Sequence, residues 1–291
     1  MSNLISEEPV SLDVAEKIGH MYKVHGHGDS AHAFQSIFMW QKDVPSVLLH
    51  NDEIYTVKIK DDEKNIYYFP CGTKNGKIDF LQDVAKDKNA EIAYATSQDT
   101  EFLNQYVPGL YDIELDESSS EYLYGTETLS KIEGKSCAQI RREKKDFLNE
   151  HDVEIKELTT ENAQDAFYIY EQWLSNRQSE ETLLDIWSHQ IGISNLNDLK
   201  LYGEIAYENK QPLFYYLGFY LDNSFDICMS KSIVDGAGKY ILHCAANMVK
   251  DKADYINFEE DLGINGLRTF KRRLHPIQML DMYRAYPVQA A

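Results

Sequence analysis

The sequence predicts an α+β, or mixed α/β, fold of two domains, each a mostly antiparallel mixed sheet flanked by helices. With 291 residues, 43% of them apolar, the chain is long enough for two separate cores. Hydrophobic periodicity gives helices and three antiparallel strands, then a helix, a strand, a helix and a strand, and this order occurs twice. The polar segment 116–121 separates the two series. We therefore expect an N-terminal domain at 1–120 and a C-terminal domain at 121–291.

The first series combines two helices with short segments rich in β-branched and aromatic residues. Polar turns separate these segments, which is typical of an antiparallel meander. The predicted elements are helices at 11–24 and 30–42, strands at 46–50, 53–60 and 65–70, a helix near 77–88, a strand at 91–96, a helix near 99–106 and a strand at 111–116.

The second series repeats that order after a short helix capped by Thr126 and a basic helix at 135–150. The match lies in the order of elements and not in the residues themselves. The predicted elements are a strand at 153–159, helices at 161–177 and 181–191, strands at 199–209, 211–222 and 224–233, a loop and helix at 234–252, a strand at 254–260, a basic helix, and a strand or irregular tail at 277–287.

The segment 255–276 carries the most chemistry. Ile256 and Phe258 alternate with polar residues, as in a strand with one buried face. Gly263 gives the following turn its backbone freedom, and Pro276 ends the helix that comes next. Polar groups therefore collect at the carboxyl end of a strand, where open α/β sheets bind ligands.

Composition limits the possible functions. The formal charge of −19 and the pI near 4.8 argue against a general nucleic-acid coat, so we expect no binding to DNA. No apolar run approaches the roughly 20 residues of a membrane-spanning helix. The four widely spaced cysteines form no metal-binding pattern. We expect a cytoplasmic protein without stable membrane insertion, without a bound metal and without a tightly bound cofactor.

Two motifs resemble those of the phosphatidylglycerol lysyltransferase C-terminal domain family. The entry motif is Tyr122-Leu-Tyr-Gly-Thr-Glu-Thr-Leu with Gly134-Lys135 and Arg141-Arg142-x-x-Lys145-x-Phe147, and the closing motif is Asn257-x-Glu259-x-Asp261-Leu262-Gly263-Ile264-x-Gly266-Leu267-Arg268 with Pro276. The resemblance covers most of residues 30–286. It implies two tandem domains like the GCN5-related N-acetyltransferases, as in the aminoacyl-transfer enzymes of the Fem type. We expect a stand-alone soluble bacterial member of this family.

The resemblance implies direct transfer of an acyl or aminoacyl group from an anionic donor, either acyl-CoA or the acceptor end of an aminoacyl-tRNA. The acceptor, a small molecule, a peptide or a lipid with an amine or hydroxyl group, stays open. Glu259 is the candidate for acceptor binding or base catalysis, with Asn257 and Asp261 orienting it. The alternative is that Asn257 and Asp261 only cap the turn and the helix after it.

The resemblance also implies that the donor binds at the loop Val234-Asp235-Gly236-Ala237-Gly238-Lys239-Tyr240, which opens the loop and helix at 234–252. Glycines ahead of a helix N-terminus expose N–H groups to an anion, although Asp235 would repel a pyrophosphate. The predicted donor-binding residues are Ser230, Lys231, Gly236, Gly238 and Lys239. The predicted phosphate-binding cations are Arg141, Lys145, Arg268, Lys271 and Arg272. The alternatives are a plain helix start, solvated helix faces, and a non-catalytic binding or scaffold protein that keeps the fold.

Overall fold

The computed structural model describes residues 5–176 and 185–288. These residues form two compact units, and each unit is built around its own sheet. The first unit contains the described residues up to Glu121, Glu260–Ile264 and the described residues from Met279 onward. The second unit contains Tyr122–Glu259 and Asn265–Gln278, apart from residues 177–184.

The first part of the chain alternates short strands with helices. Its elements are β1 (Ser6–Glu8), a 3₁₀ turn (Leu12–Val14), α1 (Ala15–His25), α2 (Phe34–Trp40), β2 (Ser46–His50), β3 (Ile54–Lys60), β4 (Asn65–Tyr68), β5 (Cys71–Gly72), α3 (Lys74–Val84), β6 (Ala90–Thr96), α4 (Ser97–Tyr106) and β7 (Tyr111–Leu115).

The remainder of the chain has longer strands and the basic helices. Its elements are β8 (Glu121–Gly125), α5 (Thr126–Lys131), α6 (Ala138–Glu150), β9 (Glu154–Glu157), α7 (Ala163–Ser175), α8 (Ile186–Ser194), β10 (Tyr202–Glu208), β11 (Gln211–Leu221), β12 (Ser224–Ser232), α9 (Gly238–Val249), β13 (Tyr255–Asn257), α10 (Asn265–Arg272), β14 (Gln278–Leu280) and β15 (Met282–Pro287). None of the helices in the described residues has the length and apolar composition needed to cross a bilayer.

The first sheet has the strand order β1-β2-β3-β4-β6-β15-β7, and β5 pairs with β3. The predicted meander is confirmed, because β2, β3 and β4 pair antiparallel. β4 then pairs in parallel with β6, and α3 forms the crossover between them. The apolar face of α3, with Phe80, Leu81 and Val84, packs on the sheet and closes a core that includes Ile92.

The second sheet has the order β14-β8-β13-β12-β11-β10-β9 and follows the same plan. β10, β11 and β12 pair antiparallel, and β12 pairs in parallel with β13 after a crossover through α9. Phe214, Tyr215 and Leu217 of β11 are fully buried, as expected for a strand covered on both faces. The predicted α+β fold class, with mixed sheets flanked by helices, is confirmed.

Two predicted helices in the first unit have different limits in the structure. The helix predicted at 30–42 begins only at Phe34, because the amides of Ser30 and His32 donate to the carboxylates of Glu121 and Asp29 and hold residues 30–33 as a loop. The helix predicted near 77–88 begins at Lys74, because the Thr73 hydroxyl caps it by accepting from the Gly76 amide at 3.2 Å.

Two predicted helices of the second unit differ from the structure or lie partly outside its described residues. Thr126 is not the cap of α5 but its first residue, and the cap position is Gly125, which has no side chain to bind the helix amides. The helix predicted at 181–191 has its first four residues outside the described part of the chain, and α8 is described from Ile186.

The chain returns to the first sheet after completing the second. β15 lies between β6 and β7 and pairs antiparallel with both, which brings its residues into the first unit. Arg284 of β15 binds two carboxylates there: it forms an ion pair with Glu91, and its Nε donates to Asp116 Oδ2 at 2.7 Å. The single boundary predicted between 120 and 121 does not anticipate this return.

Replacing Arg284 by Met should destabilise the first unit, because the Glu91 side chain is only 3% exposed and loses its guanidinium partner. Removing one partner of a buried ion pair typically costs about 3–5 kcal/mol. We expect about 2 kcal/mol, because Glu91 keeps Lys64 and charged hydrogen bonds contribute roughly that much each. Urea titration followed by circular dichroism measures the change.

The matched control is Lys86→Met. Lys86 pairs with Asp83 on the surface, where both side chains are more than two-thirds exposed, so the change should stay within about 0.5 kcal/mol. Equal losses for the two variants would contradict a buried, stabilising role of Arg284.

Candidate active site of the second unit

An opening lies between β12 and β13. The two strands pair in parallel only from Ser224–Asp226 to Tyr255–Asn257. β12 then continues along β11 alone, past a bulge at Cys228 that is marked by a shift of register. From Ile227 onward, the β13 side of β12 therefore has no strand partner within the described residues. The opening lies at the carboxyl ends of two parallel strands, as expected for a ligand site in such a sheet.

Asn257 connects the two strands at the point where they part. It is fully buried, and its amide nitrogen donates to Asp226 Oδ2 at 3.4 Å. Its Oδ1 accepts from the Glu259 amide at 2.9 Å. Asp226, also fully buried, accepts in addition from the Ser224 hydroxyl at 2.7 Å. Asn257 thus positions the backbone of Glu259, and its own side chain faces the protein interior.

Glu259 has a strained backbone. Its φ is +51°, in the left-handed region that non-glycine residues adopt at a cost of about 1 kcal/mol or more. Its carbonyl accepts from the Tyr122 amide at 3.2 Å and from Lys271 Nζ at 3.2 Å, and Lys271 also donates to the Phe258 carbonyl. Burial, together with the nearby negative charge of Glu259, raises the pKa of the Cys228 thiol.

Asp261, which belongs to the first unit, has the contacts of a turn residue. It is fully buried, and its Oδ1 accepts from the Gly263 amide at 2.9 Å. Leu262 and Gly263 both have positive φ, of 52° and 72°. The capping role that the sequence left open for Asp261 agrees with these contacts, and a catalytic role for Asp261 or Asn257 stays a prediction.

Lys231 belongs to a buried chain of polar groups. Its Nζ donates to Asp185 Oδ2 at 2.6 Å and lies 3.9 Å from the centre of the Trp173 ring. The same Asp185 oxygen is 3.2 Å from His189 Nε2, and His189 Nδ1 is 2.6 Å from the Tyr215 hydroxyl. The Lys231 side chain is 11% exposed, so its ammonium is held in one place on the β12 side of the opening.

The contacts of Lys231, Asp185 and His189 determine which of these groups are charged. Burial, assisted by the Lys231 ammonium, lowers the pKa of His189 to about 4, so the imidazole is neutral at pH 7. A neutral ring fits both contacts if Nε2–H donates to Asp185 and Nδ1 accepts from Tyr215. Burial opposes ionisation of Asp185, but the hydrogen bond from His189 and the charge of Lys231 outweigh it and hold the pKa of Asp185 well below its usual range.

The sequence predictions did not include Asp185 and His189. A signal was available, because the two residues are four apart within the helix predicted at 181–191 and therefore lie on the same face of it. Their contact with Lys231 depends on the packing of α8 near β12, which no local pattern contains.

The predicted donor loop lies directly after β12. Gly236 has a φ of +80°, and Gly238 is the first residue of α9. A Cβ at Gly238 would lie 3.1 Å from the Phe270 ring, so the position favours glycine for packing as well. Ser230 lies on β12 opposite Tyr216. Lys239 is buried, and its ammonium pairs with Glu143 at 2.6 Å, so it stabilises the contact between α6 and α9.

The predicted phosphate-binding cations have different surroundings. Arg141 and Lys145 are exposed on α6, although the Arg141 guanidinium also donates to the carbonyls of Ile132 and Gly134 at 2.6 and 2.7 Å. Arg272 is exposed and Arg268 half-buried on α10. Lys271 is only 4% exposed, and its ammonium binds the backbone beside Glu259. Phosphate binding by these residues stays a prediction.

The two mixed sheets, and the opening between parallel strands in the second, can now be compared with known proteins. The profile of the family described as phosphatidylglycerol lysyltransferase, C-terminal, matches residues 23–286. The chain belongs to this family, as the two sequence motifs predicted. A comparison with curated protein sequences gives no match.

Solved structures support the same fold. A conserved protein of unknown function from Bacteroides thetaiotaomicron is 23% identical, with a TM-score of 0.88 over 98% of this chain and 100% of that one. L-PGS from Bacillus licheniformis is 12% identical, with a TM-score of 0.70 over 98% and 94%. FemX is 9% identical, with a TM-score of 0.58 over 97% of each chain. At these identities the likeness establishes the fold.

Replacing Lys271 by Met should release the Glu259 turn, because the carbonyls of Phe258 and Glu259 lose a buried charged donor. We expect a loss of about 2 kcal/mol in the unfolding free energy of the second unit. Hydrogen exchange should rise at the amides around 258–260 before it rises elsewhere. Arg272→Met, at the exposed neighbouring position, is the control, and an unchanged exchange rate in Lys271→Met would contradict the bracing role.

Because the pKa of His189 is low in the folded protein, acidification should lower the free energy of unfolding. In the unfolded chain histidine binds its proton near pH 6.5, whereas folded His189 binds it only near pH 4. The unfolded state therefore holds more protons between these values, and acidification through this window favours unfolding. Between pH 7 and pH 5, His189→Gln should lose less unfolding free energy than the unmodified chain, by roughly 2 kcal/mol. Urea titrations at both pH values measure the difference, and equal losses would contradict a buried neutral imidazole.

Proposed function

We propose that this protein transfers an acyl or aminoacyl group from an activated anionic donor, aminoacyl-tRNA or acyl-CoA, directly to an amine or hydroxyl acceptor. Lysyl transfer, the activity in the description of its family, is one case of this reaction. The observation that carries the proposal is the opening between β12 and β13, with Lys231 on one side and Glu259 at the end of the other strand.

The donor side of the proposed site is β12 with the loop after it. The edge of Ile227–Ser232 that faces away from β11 has no strand partner among the described residues, and it can bind an extended donor arm in the manner of a neighbouring strand. Beyond it, the amides at the start of α9, with Gly236 and Gly238, favour an anionic group. Exposed Arg141 and Lys145 on α6, which packs beside α9, add positive charge for the donor's phosphates.

Lys231 supports the transfer step because its charge and position are both maintained. Asp185 accepts from its ammonium, and His189 stays neutral, so no second cation competes for Asp185. A fixed ammonium in a partly buried site stabilises negative charge that develops on a carbonyl oxygen. We assign Lys231 to this oxyanion or to the donor's polar arm, and Asp185 and His189 to positioning Lys231.

Glu259 supports the acceptor side. Its backbone is strained, and three contacts fix it: the Asn257 side chain, the Tyr122 amide and the Lys271 ammonium. Such strain persists where the surrounding structure maintains it, and it is concentrated at functional sites. These contacts fix the backbone, and we assign to the carboxylate on it the proton that an amine or hydroxyl loses on attack.

The proposed step balances without an acyl-enzyme. The acceptor's lone pair attacks the carbonyl carbon of the donor ester or thioester, and the acceptor proton passes to Glu259. The tetrahedral oxyanion then re-forms the carbonyl as the C–O or C–S bond breaks. The leaving hydroxyl or thiol takes up one proton, so the carboxylate of Glu259 is restored.

The test uses Glu259→Gln, which keeps the shape of the side chain and removes the base. Purified protein is incubated with a tRNA pool charged with radiolabelled amino acids, or with labelled acetyl-CoA, and with mixed amine and lipid acceptors. The variant should bind the donor as the unmodified chain does, with turnover lower by about 10²–10⁴-fold. Filter binding and product counting measure the two quantities separately.

Glu157→Gln, an exposed carboxylate on β9, is the control and should turn over normally. If Glu259→Gln keeps full turnover, Glu259 is not the base. If the unmodified chain binds neither donor at low salt, the transferase proposal fails. Binding of a donor without any turnover would favour the non-catalytic binding protein instead.

A further inference from the structure

The first unit contains a small pocket rich in ionisable groups. It is lined by the end of α1 and the loop after it, by the segment around Phe69–Cys71, and by α3 and α4. His25, Gly26 and His27 are half-buried and form its open side, while the remaining lining residues are buried. The histidines and charged residues that line the pocket are His25, His27, Asp29, His32, Lys77 and Asp99. We call this site the Lys77 pocket.

The two carboxylates of the pocket already have partners. Asp29 Oδ1 accepts from His32 Nδ1 at 2.6 Å, and His32 Nε2 donates to the Phe69 carbonyl at 2.9 Å. Both ring nitrogens of His32 face acceptors, so the ring carries a charge that balances Asp29. Asp99 Oδ2 accepts from the amide and the hydroxyl of Thr96 at 2.9 and 2.7 Å, within the cap of α4.

His27 also lies beside Asp99. Its Nδ1 is 3.3 Å from Asp99 Oδ1 and 3.0 Å from the Thr96 hydroxyl. The His27 side chain is 25% exposed on the open side of the pocket. Its Nε2 has no partner among the described residues, so His27 keeps one nitrogen for a further contact.

Lys77 differs from the other charged groups of the pocket. It is 8% exposed, yet its ammonium has neither a hydrogen-bond acceptor nor a carboxylate within 4 Å in the part of the chain that the structure describes. Its Nζ lies over two aromatic rings, 4.2 Å from the centre of Phe102 and 5.4 Å from that of Phe69. Ring faces offset part of the loss of hydration but accept no normal hydrogen bond. The Lys77 side chain is buried, its ammonium lines the pocket, and its three donors have no acceptor among the described residues, so a ligand oxygen in the pocket can accept from them.

We propose that the Lys77 pocket binds a small oxyanion group, a carboxylate or a phosphate, through the Lys77 ammonium with His27 at its open side. Asp29 binds His32, and Asp99 binds Thr96 and His27, so neither carboxylate occupies the hydrogen-bond donors of Lys77, although the Asp99 charge lies near its ammonium. The enclosed part of the pocket has room for about one oxygen atom, so we expect one oxygen of the group to reach Lys77 while the rest of the ligand lies at the open side. The proposal uses only residues of the first unit and does not depend on the transferase proposal.

The chain offers a matched pair of lysines for the test. Lys74, one turn earlier on α3, also lies over an aromatic ring of α4, with Nζ 3.8 Å from the centre of Tyr106. Lys74 is exposed and does not line the pocket. Lys77→Met and Lys74→Met therefore remove the same charge and the same type of ring contact, but only the first removes the proposed ligand.

Binding of inorganic phosphate and of acetate is measured by calorimetry on the full chain and on both variants. We expect saturable binding of at least one probe, unchanged in Lys74→Met and weakened about tenfold or more in Lys77→Met. Preference for phosphate or for acetate distinguishes the two classes of ligand. No saturable binding of either probe, or equal binding by Lys77→Met, would overturn the proposal.

A second measurement needs no variant and applies even if Lys77→Met does not fold. Lysines of the unmodified chain are labelled with acetic anhydride, and the rates are read by mass spectrometry with and without the bound probe. The probe should slow labelling of Lys77 several-fold and leave Lys74 unchanged. Equal rates at Lys77 with and without a saturating probe would exclude the pocket as the binding site.

Discussion

The second sheet depends on one buried contact, the pairing of Asp226 with Asn257 where β12 and β13 part. Asp226 is a fully buried carboxylate, and the Ser224 hydroxyl and the Asn257 amide satisfy it. Because the other end of the Asn257 amide binds the Glu259 backbone, the same side chain ends the strand and shapes the turn. Lys271 then secures that turn from α10. The opening beside β12 is therefore held by groups in the protein interior and does not rely on a ligand.

Two buried histidines show how partners decide charge in this protein. Burial disfavours the charged form of both rings. His32 lies between a carboxylate and a carbonyl, two acceptors, and Asp29 overcomes the effect of burial and raises the pKa of His32 to about 9. His189 lies between a carboxylate and a hydroxyl, near the Lys231 ammonium, and its pKa falls to about 4. One ring is a fixed cation at pH 7, and the other is a neutral connection between Tyr215 and Asp185.

The elements of the fold were predictable where a local pattern determines them. The alternating segments at 46–50 and 53–60 became β2 and β3, and the closing motif placed the chain in its family. The positive φ of Glu259 was not predictable, because it results from contacts with Asn257, Tyr122 and Lys271 and not from a glycine. The sequence also does not show which groups a lysine or arginine will contact in the folded protein. The sequence predicted that Lys239 and Lys271 bind the donor or a phosphate. In the structure the Lys239 ammonium pairs with a carboxylate, and the Lys271 ammonium donates to two backbone carbonyls.

The position of β15 has a consequence for synthesis of the protein. Domains generally fold in order as the chain leaves the ribosome, N-terminal first. Here β6 and β7 flank a strand that is encoded after the whole second unit. Until residues 282–287 emerge, β6 and β7 each lack the neighbour that lies between them, and Glu91 and Asp116 lack the Arg284 guanidinium. The first unit is the first to be translated, but it is the last to complete its sheet.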